Sequence, residues 1–495
     1  MGKGFAQQHG LWTAEQRDAA ERLSARIAES GLDVIRMSWP DQHGLLRGKT
    51  YTADAFVSAL RDGAEITMAP FFFDTANAIV FNPFSVGGGF DIPELSGSPN
   101  VVMLPDPTTF RILPWAPETG WVLCDLYMRD GSPFPFAPRQ ILRTALDQVR
   151  RAGYDLVAGI EMEWYITRIL DDSLTSGDLG GPGSPGAPPQ VAPLARGYSY
   201  LQESHLDEID HVLRPLRKHL SALGLPLRTL EDEWAPSQVE TTFDVLEGMA
   251  AADATTLFRS AVKQSCRRSG YLATFMCTPG VPGFYASGWH LHSSLTERST
   301  GRNAMVPAEG EPLSEIGRHY VGGTLEHAIA ASAFTTPTVN GYRRRRPYSL
   351  APDRITWGYD NRAAMVRVIS APGDGSSHIE NRVGEPAANP YLYIAAQALS
   401  GLDGVTNKID PGPISDDPYA TDVPQLPTSL SAALDALEGN EFFRRAYGDR
   451  FIDYIVTMKR SETTRYAAHL AERPDAEEYA ANVTDWEHRE YFELF

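Results

Sequence analysis

The chain has 495 residues, 42% of them hydrophobic and 22% charged, the balance of a globular protein long enough for two domains around a large core. Its 63 acidic against 44 basic side chains leave a formal charge of −19, which argues against the phosphate backbone of a nucleic acid as a partner. No apolar run is long enough to cross a bilayer, no signal-peptide pattern opens the chain, and three cysteines make neither a disulfide framework nor a zinc ribbon, so a cytoplasmic protein is expected.

In chain order, residues 14–31 have apolar positions at helical spacing and end on a glycine, which predicts a helix. "LDVIRMSWPDQHGLLRGKTY" (32–51) predicts two strands joined by a turn, and short β-like segments follow, among them "NVVMLPD" and "WVLCDLYM". "FAPRQILRTALDQVRRAG" (136–153) is an amphipathic helix with proline near its first turn. A domain boundary is placed just before it, dividing the chain into 1–135 and 136–495. Beyond it strands and helices alternate irregularly, which indicates an α+β fold. "SGDLGGPGSPGAPPQVAP" (176–193) is too rich in glycine and proline to pack and is expected to be a mobile loop. The tail "VTDWEHREYFELF" reads as a helix whose aromatic residues can dock on a neighbour.

Three short segments place side chains two apart on a strand, and so on one face. "AGIEMEWYI" does this with Glu161 and Glu163, "ASGWHLHSSL" with His290 and His292, and "SSHIENRVGEP" with Glu380 and Arg382. An average strand carries such a carboxylate pair on its solvated face, but Ile160, Trp164 and Ile166 favour burial here, and buried carboxylates that close repel unless a cation or proton intervenes. "EDEWAPSQVE" adds Glu233 and Glu240 on either side of a proline-containing turn. Many carboxylate oxygens with one or two imidazoles suit Mg²⁺ or Mn²⁺ rather than zinc.

Against the acidic background, "NGYRRRRPYSLAP" sets four arginines in a row at 343–346. With Arg362, Arg367 and Arg382 they supply clamps for phosphate and carboxylate oxygens, although at least two of the four are expected to be a solvated turn. Cations, arginines and carboxylates together indicate an ATP-using enzyme that handles a carboxylate substrate. No P-loop or kinase motif is present, so the nucleotide is held by other means.

"EMEWY", "EDEWAPSQVE", "SGWHLH", "NGYRR", "WGYDNR" and "IENRVGEPAANPYLY", in that order, resemble the glutamine synthetase family over nearly the whole chain. The resemblance implies an N-terminal β-grasp domain and a catalytic domain with a bent antiparallel sheet, with active sites between subunits of stacked rings, usually homo-dodecamers. It implies one metal on Glu163, Glu233 and Glu240 and a second on Glu161, His290 and Glu380. His292 and Arg367 correspond to residues on the ATP side, Arg344 to the arginine that holds the glutamate carboxylate, and Arg362 and Arg382 to those around the transferring phosphoryl group. The implied chemistry is phosphorylation of the glutamate γ-carboxylate by ATP, followed by attack of an amine.

Departures from the family pattern cluster around the amine. The family uses a glutamate six residues after the arginine of "NGYRR" to take a proton from ammonium; here that position is Leu350. Its second acid, an aspartate from a neighbouring subunit, corresponds to Asp74 in "APFFFDTANAIVF". An Asn-Gly pair that helps bind glutamate is Tyr285-Ala286, and a Lys-Pro pair is Thr278-Pro279. A pocket that loses a carboxylate and gains leucine and aromatics suits a larger, less polar amine. An arylamine, neutral at pH 7, needs no anionic site, so the chain resembles the γ-glutamylamide ligases and, among them, the γ-glutamylanilide synthases. The alternatives are an ammonia-using glutamine synthetase, a polyamine or ethanolamine ligase, and a non-catalytic relative. The last is at odds with the six intact metal-ligand positions.

Overall fold

The computed structural model describes residues 4–171, 173–420 and 422–495. After a single helical turn at Phe5–Gln8, the helix Ala14–Ser30 starts at a capping box in which Thr13 and Gln16 satisfy each other's backbone, and it stops at Gly31 in the left-handed conformation. Strands Val34–Pro40 and Leu46–Thr52 pair as the expected hairpin, and the helix Ala53–Asp62 follows directly. The first of these strands also lies parallel to Ala116–Tyr127, which pairs antiparallel with Asn100–Pro105. A hairpin, a helix across it and a parallel return strand beside the first make the β-grasp arrangement.

The second sheet is organised by one long strand, Tyr154–Ile169. Along one edge it pairs antiparallel with Trp289–Glu297 and Tyr271–Thr274, and along the other with Gln238–Phe243, Leu246–Glu247 and Val191–Pro193. Beyond Trp289–Glu297 come His378–Gly384, Val366–Ile369 and Trp357–Tyr359. Helices Pro138–Arg151, Gly248–Arg268 and Pro390–Asn407 pack behind the sheet, the last buried throughout 390–401. That leaves the other face free to line a cavity. Among the described residues no helix is long and apolar enough to cross a membrane.

Two expectations are corrected. The Gly/Pro segment 176–193 is tethered near its middle and at its C-terminal end. Val191–Pro193 adds a strand to the sheet, and Gly183 donates its N–H to Ala76 O at 2.9 Å. Glycine permits this path, since a Cβ at Gly186 would lie 1.7 Å from the Asp178 carbonyl oxygen. In the tail, Asp485–Tyr491 is helical as expected, but Tyr491, Phe492 and Phe495 are buried in the chain's own core rather than offered to a neighbour. Lys263 Nζ holds that end by donating to the carbonyls of Glu493 and Phe495 at 2.6 and 2.7 Å.

The apolar core runs without a break across both sheets. A buried ion cluster joins them as well. Arg139, on the helix that follows the β-grasp sheet, contacts Asp106, Asp125 and Asp253 at 2.8–2.9 Å. Tyr391 donates to Asp253 at 2.8 Å from the helix beneath the catalytic sheet. Removing the cation would leave Asp106 and Asp253 without their basic partner, while Asp125 would keep Arg143 at 2.8 Å. Arg139→Ala is therefore expected to destabilise the protein by about 3–5 kcal/mol, read as a lowered urea midpoint, whereas substituting the exposed Arg346 should leave the midpoint unchanged.

Candidate active site

Strand register assembles the site. Glu163 lies directly across from Glu240, and Glu161 directly across from His290. His292 is opposite Glu380, which is in turn opposite Arg367. Because side chains alternate along a strand, these registers gather every same-face pair read from the sequence onto one sheet face. Two glycines make room for them. A Cβ at Gly159 would sit 3.1 Å from the His292 Cβ, and one at Gly288 would sit 2.5 Å from Arg344 Nη2.

The face opens on a cavity of about 1680 Å³, lined by Glu161, Glu163, Glu233, Glu240, His290 and His292 together with Arg344, Arg362, Arg367 and Arg382. Tyr285 and Leu350 also line it. Glu161 bonds His290 Nδ1 at 2.5 Å and His292 Nε2 at 3.1 Å. Glu163 accepts from Gln238 Nε2 at 3.1 Å and Gly288 N at 3.0 Å, and Glu233 accepts from the Trp234 N–H at 2.7 Å. Glu380, fully buried, is flanked by Arg382 and, at 3.1 Å, by Arg367. Arg344 Nη1 donates to the Arg382 carbonyl at 2.7 Å, and its Nη2 lies 3.1 Å from His290 Nε2. An arginine only donates, so His290 Nε2 accepts and the ring's proton sits on Nδ1, facing Glu161.

The electrostatics show what the cluster lacks. Burial, then Glu161, Glu163 and Glu233, push Glu240 up to about 10. Burial pushes Glu163 up to about 7, against the pull of Arg344 and with help from Glu233. Glu233 is raised, chiefly by burial. Burial, then Arg382, lower His290 to about 4, so its ring is neutral at pH 7. Glu161, despite its burial, is held well below the usual carboxylate range by His290 and His292. A group of carboxylates that can ionise together only with added positive charge is the donor set of a hard divalent cation. Ligand atoms of Glu161, Glu240 and His290 lie within 4.8 Å of one another, as do those of Glu161, His292 and Glu380. Both groupings share Glu161, whereas the expected sets divided the carboxylates between Glu163 and Glu161. Glu163 and Glu233 are turned to backbone and amide partners beside these groups.

The arginine run divides in an unexpected way. Arg344 is 7% exposed and faces His290. Arg343 pairs with the buried Glu487 at 2.6 Å. Arg345 lies over the Tyr342 ring and donates to the Pro427 carbonyl at 2.7 Å. Only Arg346 is an exposed turn residue, not the two or more anticipated. Arg382 Nε donates to the Arg362 carbonyl at 3.1 Å and its Nη2 to the Leu350 carbonyl at 3.3 Å, so one guanidinium braces both loops.

Asp74 does not line this chain's cavity. It is buried, accepting from Ser461 Oγ and Arg465 Nε, both at 2.9 Å, and from the N–H groups of Ala76 and Ala78. Sequence reasoning missed Gln238, which ties Glu163 to Ser287, and His378, whose Nε2 is 3.1 Å from His292 Nδ1. Each sits two residues from a named glutamate (Glu240 and Glu380), so the same-face rule would have found both.

Residues 135–491 match the family model described as the catalytic domain of glutamine synthetase. A γ-glutamylanilide synthase of Acinetobacter sp is 54% identical over 99% of this chain and 99% of its own. A glutamate–isopropylamine ligase of Pseudomonas sp is 31% identical over 88% of this chain and 92% of its own. Among solved structures, GmaS without ligand matches with a TM-score of 0.73 at 28% identity, covering 94% of this chain and 98% of that one, and a GmaS/ADP complex matches at 0.72. The fold and the site define a carbon–nitrogen ligase. The chain belongs to the glutamine synthetase family.

If divalent cations complete the carboxylate cluster, adding Mg²⁺ or Mn²⁺ will raise the melting temperature by several degrees, because a ligand that binds only the folded form stabilises it. The double variant Glu161→Gln/Glu240→Gln should lose most of that rise, read by thermal unfolding with and without metal. An equal rise in the variant would assign the cation elsewhere.

Proposed function

We propose that this ligase joins the γ-carboxylate of glutamate to an apolar primary amine carrying an aromatic ring. The observation that carries the reading is Leu350. At the position where the family resemblance puts a proton-accepting glutamate, a leucine lines the cavity with 66% of its surface exposed. It cannot act as a base, and it offers an apolar wall. The 54% identity to a γ-glutamylanilide synthase supports the same substrate class.

In this mechanism a glutamate carboxylate oxygen attacks the γ-phosphorus of ATP and ADP leaves. The amine nitrogen then attacks the acyl carbon, phosphate departs with the bonding electrons, and the nitrogen loses a proton. Mg²⁺ or Mn²⁺, held by Glu161, Glu163, Glu233, Glu240, His290 and Glu380, would neutralise charge on the transferring phosphoryl group. Arg344 is assigned to the glutamate carboxylate, which its planar fork can meet bidentately. Arg362 and Arg382 are assigned to the phosphoryl oxygens, where fixed donors stabilise developing charge. His292 and Arg367 are assigned to the nucleotide side. The rest of the proposal is a cytoplasmic homo-oligomer of stacked rings; Asp74, buried and held by Arg465, is left out of the amine site.

Glutamate-dependent ADP release with a panel of aniline, isopropylamine, ethanolamine, putrescine and ammonia tests the reading. Aniline is expected to give the highest kcat/KM, at least about tenfold above ammonia. Leu350→Glu should shift that ratio toward ammonia by roughly ten- to thirtyfold, the worth of burying one apolar group. Equal efficiency with ammonia and every larger amine would restore the glutamine synthetase reading, and a preference for putrescine or ethanolamine would make it a ligase for polar amines.

A further inference from the structure

Tyr198, Trp234 and Tyr285 are large aromatic side chains left half exposed, at 48%, 46% and 53%, in one place. Tyr198 is the neighbour of both others, edge to face. Its ring centroid is 5.8 Å from Trp234 at 61° and 6.0 Å from Tyr285 at 81°. Trp234 and Tyr285 line the same cavity as Glu163 and Glu233. Contiguous exposed aromatic surface opening into a reaction cavity marks a binding surface rather than an accident of packing.

The backbone beneath these rings is fixed. Tyr198 adopts φ 72°, the left-handed region that side chains rarely occupy, and it is held there by its N–H on the Trp234 carbonyl at 2.6 Å and its hydroxyl on the Gly283 carbonyl at 2.9 Å. Gly283 stands at φ 84°, a backbone conformation that L side chains rarely adopt, which favours glycine at the contact. Tyr285 is held through its own N–H and carbonyl by the Tyr165 hydroxyl at 2.8 and 2.9 Å. Tyr165 itself stacks on Phe284 at 4.3 Å and 9°. Trp234 is anchored by its N–H on Glu233. Three loops are thus locked while the three rings they carry stay open.

We propose that Trp234 and Tyr285, braced edge to face by Tyr198, form the seat for the aryl ring of the amine substrate. The inference rests on the aromatic-amine reading above and names the residues that select the ring. Trp234 follows Glu233 directly and lines the cavity beside the carboxylate cluster, so an amine entering to attack the acyl carbon can lay its ring against the indole. The two rings that line the cavity suit a planar, neutral ring in edge-to-face or offset-stacked contact.

Trp234→Ala is expected to raise the KM for aniline about tenfold, with a smaller effect on kcat, while the KM for glutamate and for ATP stays within about twofold. Trp234→Phe should recover most of the loss. Isopropylamine, which has no ring, should be affected far less. If isopropylamine suffers as much as aniline, the rings hold an alkylammonium by cation–π attraction and the proposal falls. Unchanged aniline kinetics, or a rise confined to glutamate, would overturn it equally. Tyr285→Ala, read the same way, keeps the test open if Trp234→Ala folds poorly. If the wild type does not use aniline at all, the substrate reading itself fails. A wild type that uses aniline alongside an unaffected Trp234→Ala rejects only the seat.

Discussion

Glu161, Glu163, Glu240 and Glu380 share one face of one sheet, and their mutual repulsion is the constraint to which the rest of the catalytic domain answers. Burial makes the problem worse, because the same charges lose water. The fold meets part of it from within: His290 and His292 face Glu161, and Arg367 and Arg382 flank Glu380. Glu163 and Glu240 are left raised, which is where a divalent cation would have most effect. The buried helices behind the sheet supply the rigidity that holds like charges together. Without that backing the strands would separate before the carboxylates would stay close.

The N-terminal domain is tied to this frame by polar groups as well as by the shared apolar core. Through three aspartates Arg139 links the N-terminal sheet to the helix Gly248–Arg268 behind the catalytic sheet. A second buried network gathers Asp74 and Thr75 against Arg465, Glu490 and Glu462, with Lys459 and Tyr491 closing it. In both, each charge has a hydrogen-bonded partner, the condition under which buried ions specify one arrangement rather than weaken it. The second network also explains why Asp74 is not free within its own chain. Its carboxylate is engaged by Arg465, Ser461 and two backbone N–H groups.

Much of the site was legible because strand periodicity is short. Glu161/Glu163, His290/His292 and Glu380/Arg382 could be put on common faces from spacing alone, and the structure brings them together. The register that sets Glu163 against Glu240 could not be read, since nothing local in either strand names its partner. Nor could the division of the arginine run. Arg343 and Arg345 are structural because Glu487 and Pro427, far along the chain, return to meet them. Composition misled at 176–193 for a related reason: glycine and proline preclude a core, but they also permit the close backbone approach by which Gly183 reaches Ala76. The aromatic tail was recognisable as a helix, while its burial depended on a surface supplied by the rest of the chain.

The division of labour between sheet and loops follows from the same physics. Residues facing the phosphoryl chemistry on the sheet are locked by cross-strand register, where losing Arg367, Arg382 or His290 would take a partner from a buried carboxylate. The residues assigned to the amine, Tyr198, Trp234, Tyr285 and Leu350, lie outside the strands, and two of them stand in left-handed backbone at φ 72° and 58°. A side chain in that conformation costs about 1 kcal/mol or more, so it persists only where neighbouring contacts enforce it. Arg382 supplies such a contact for Leu350, by donating to its carbonyl while also flanking Glu380. On this reading one guanidinium joins the phosphoryl side of the site to the amine side. The amine pocket can change its side chains without disturbing the carboxylates, because what Arg382 grips on the loop is backbone.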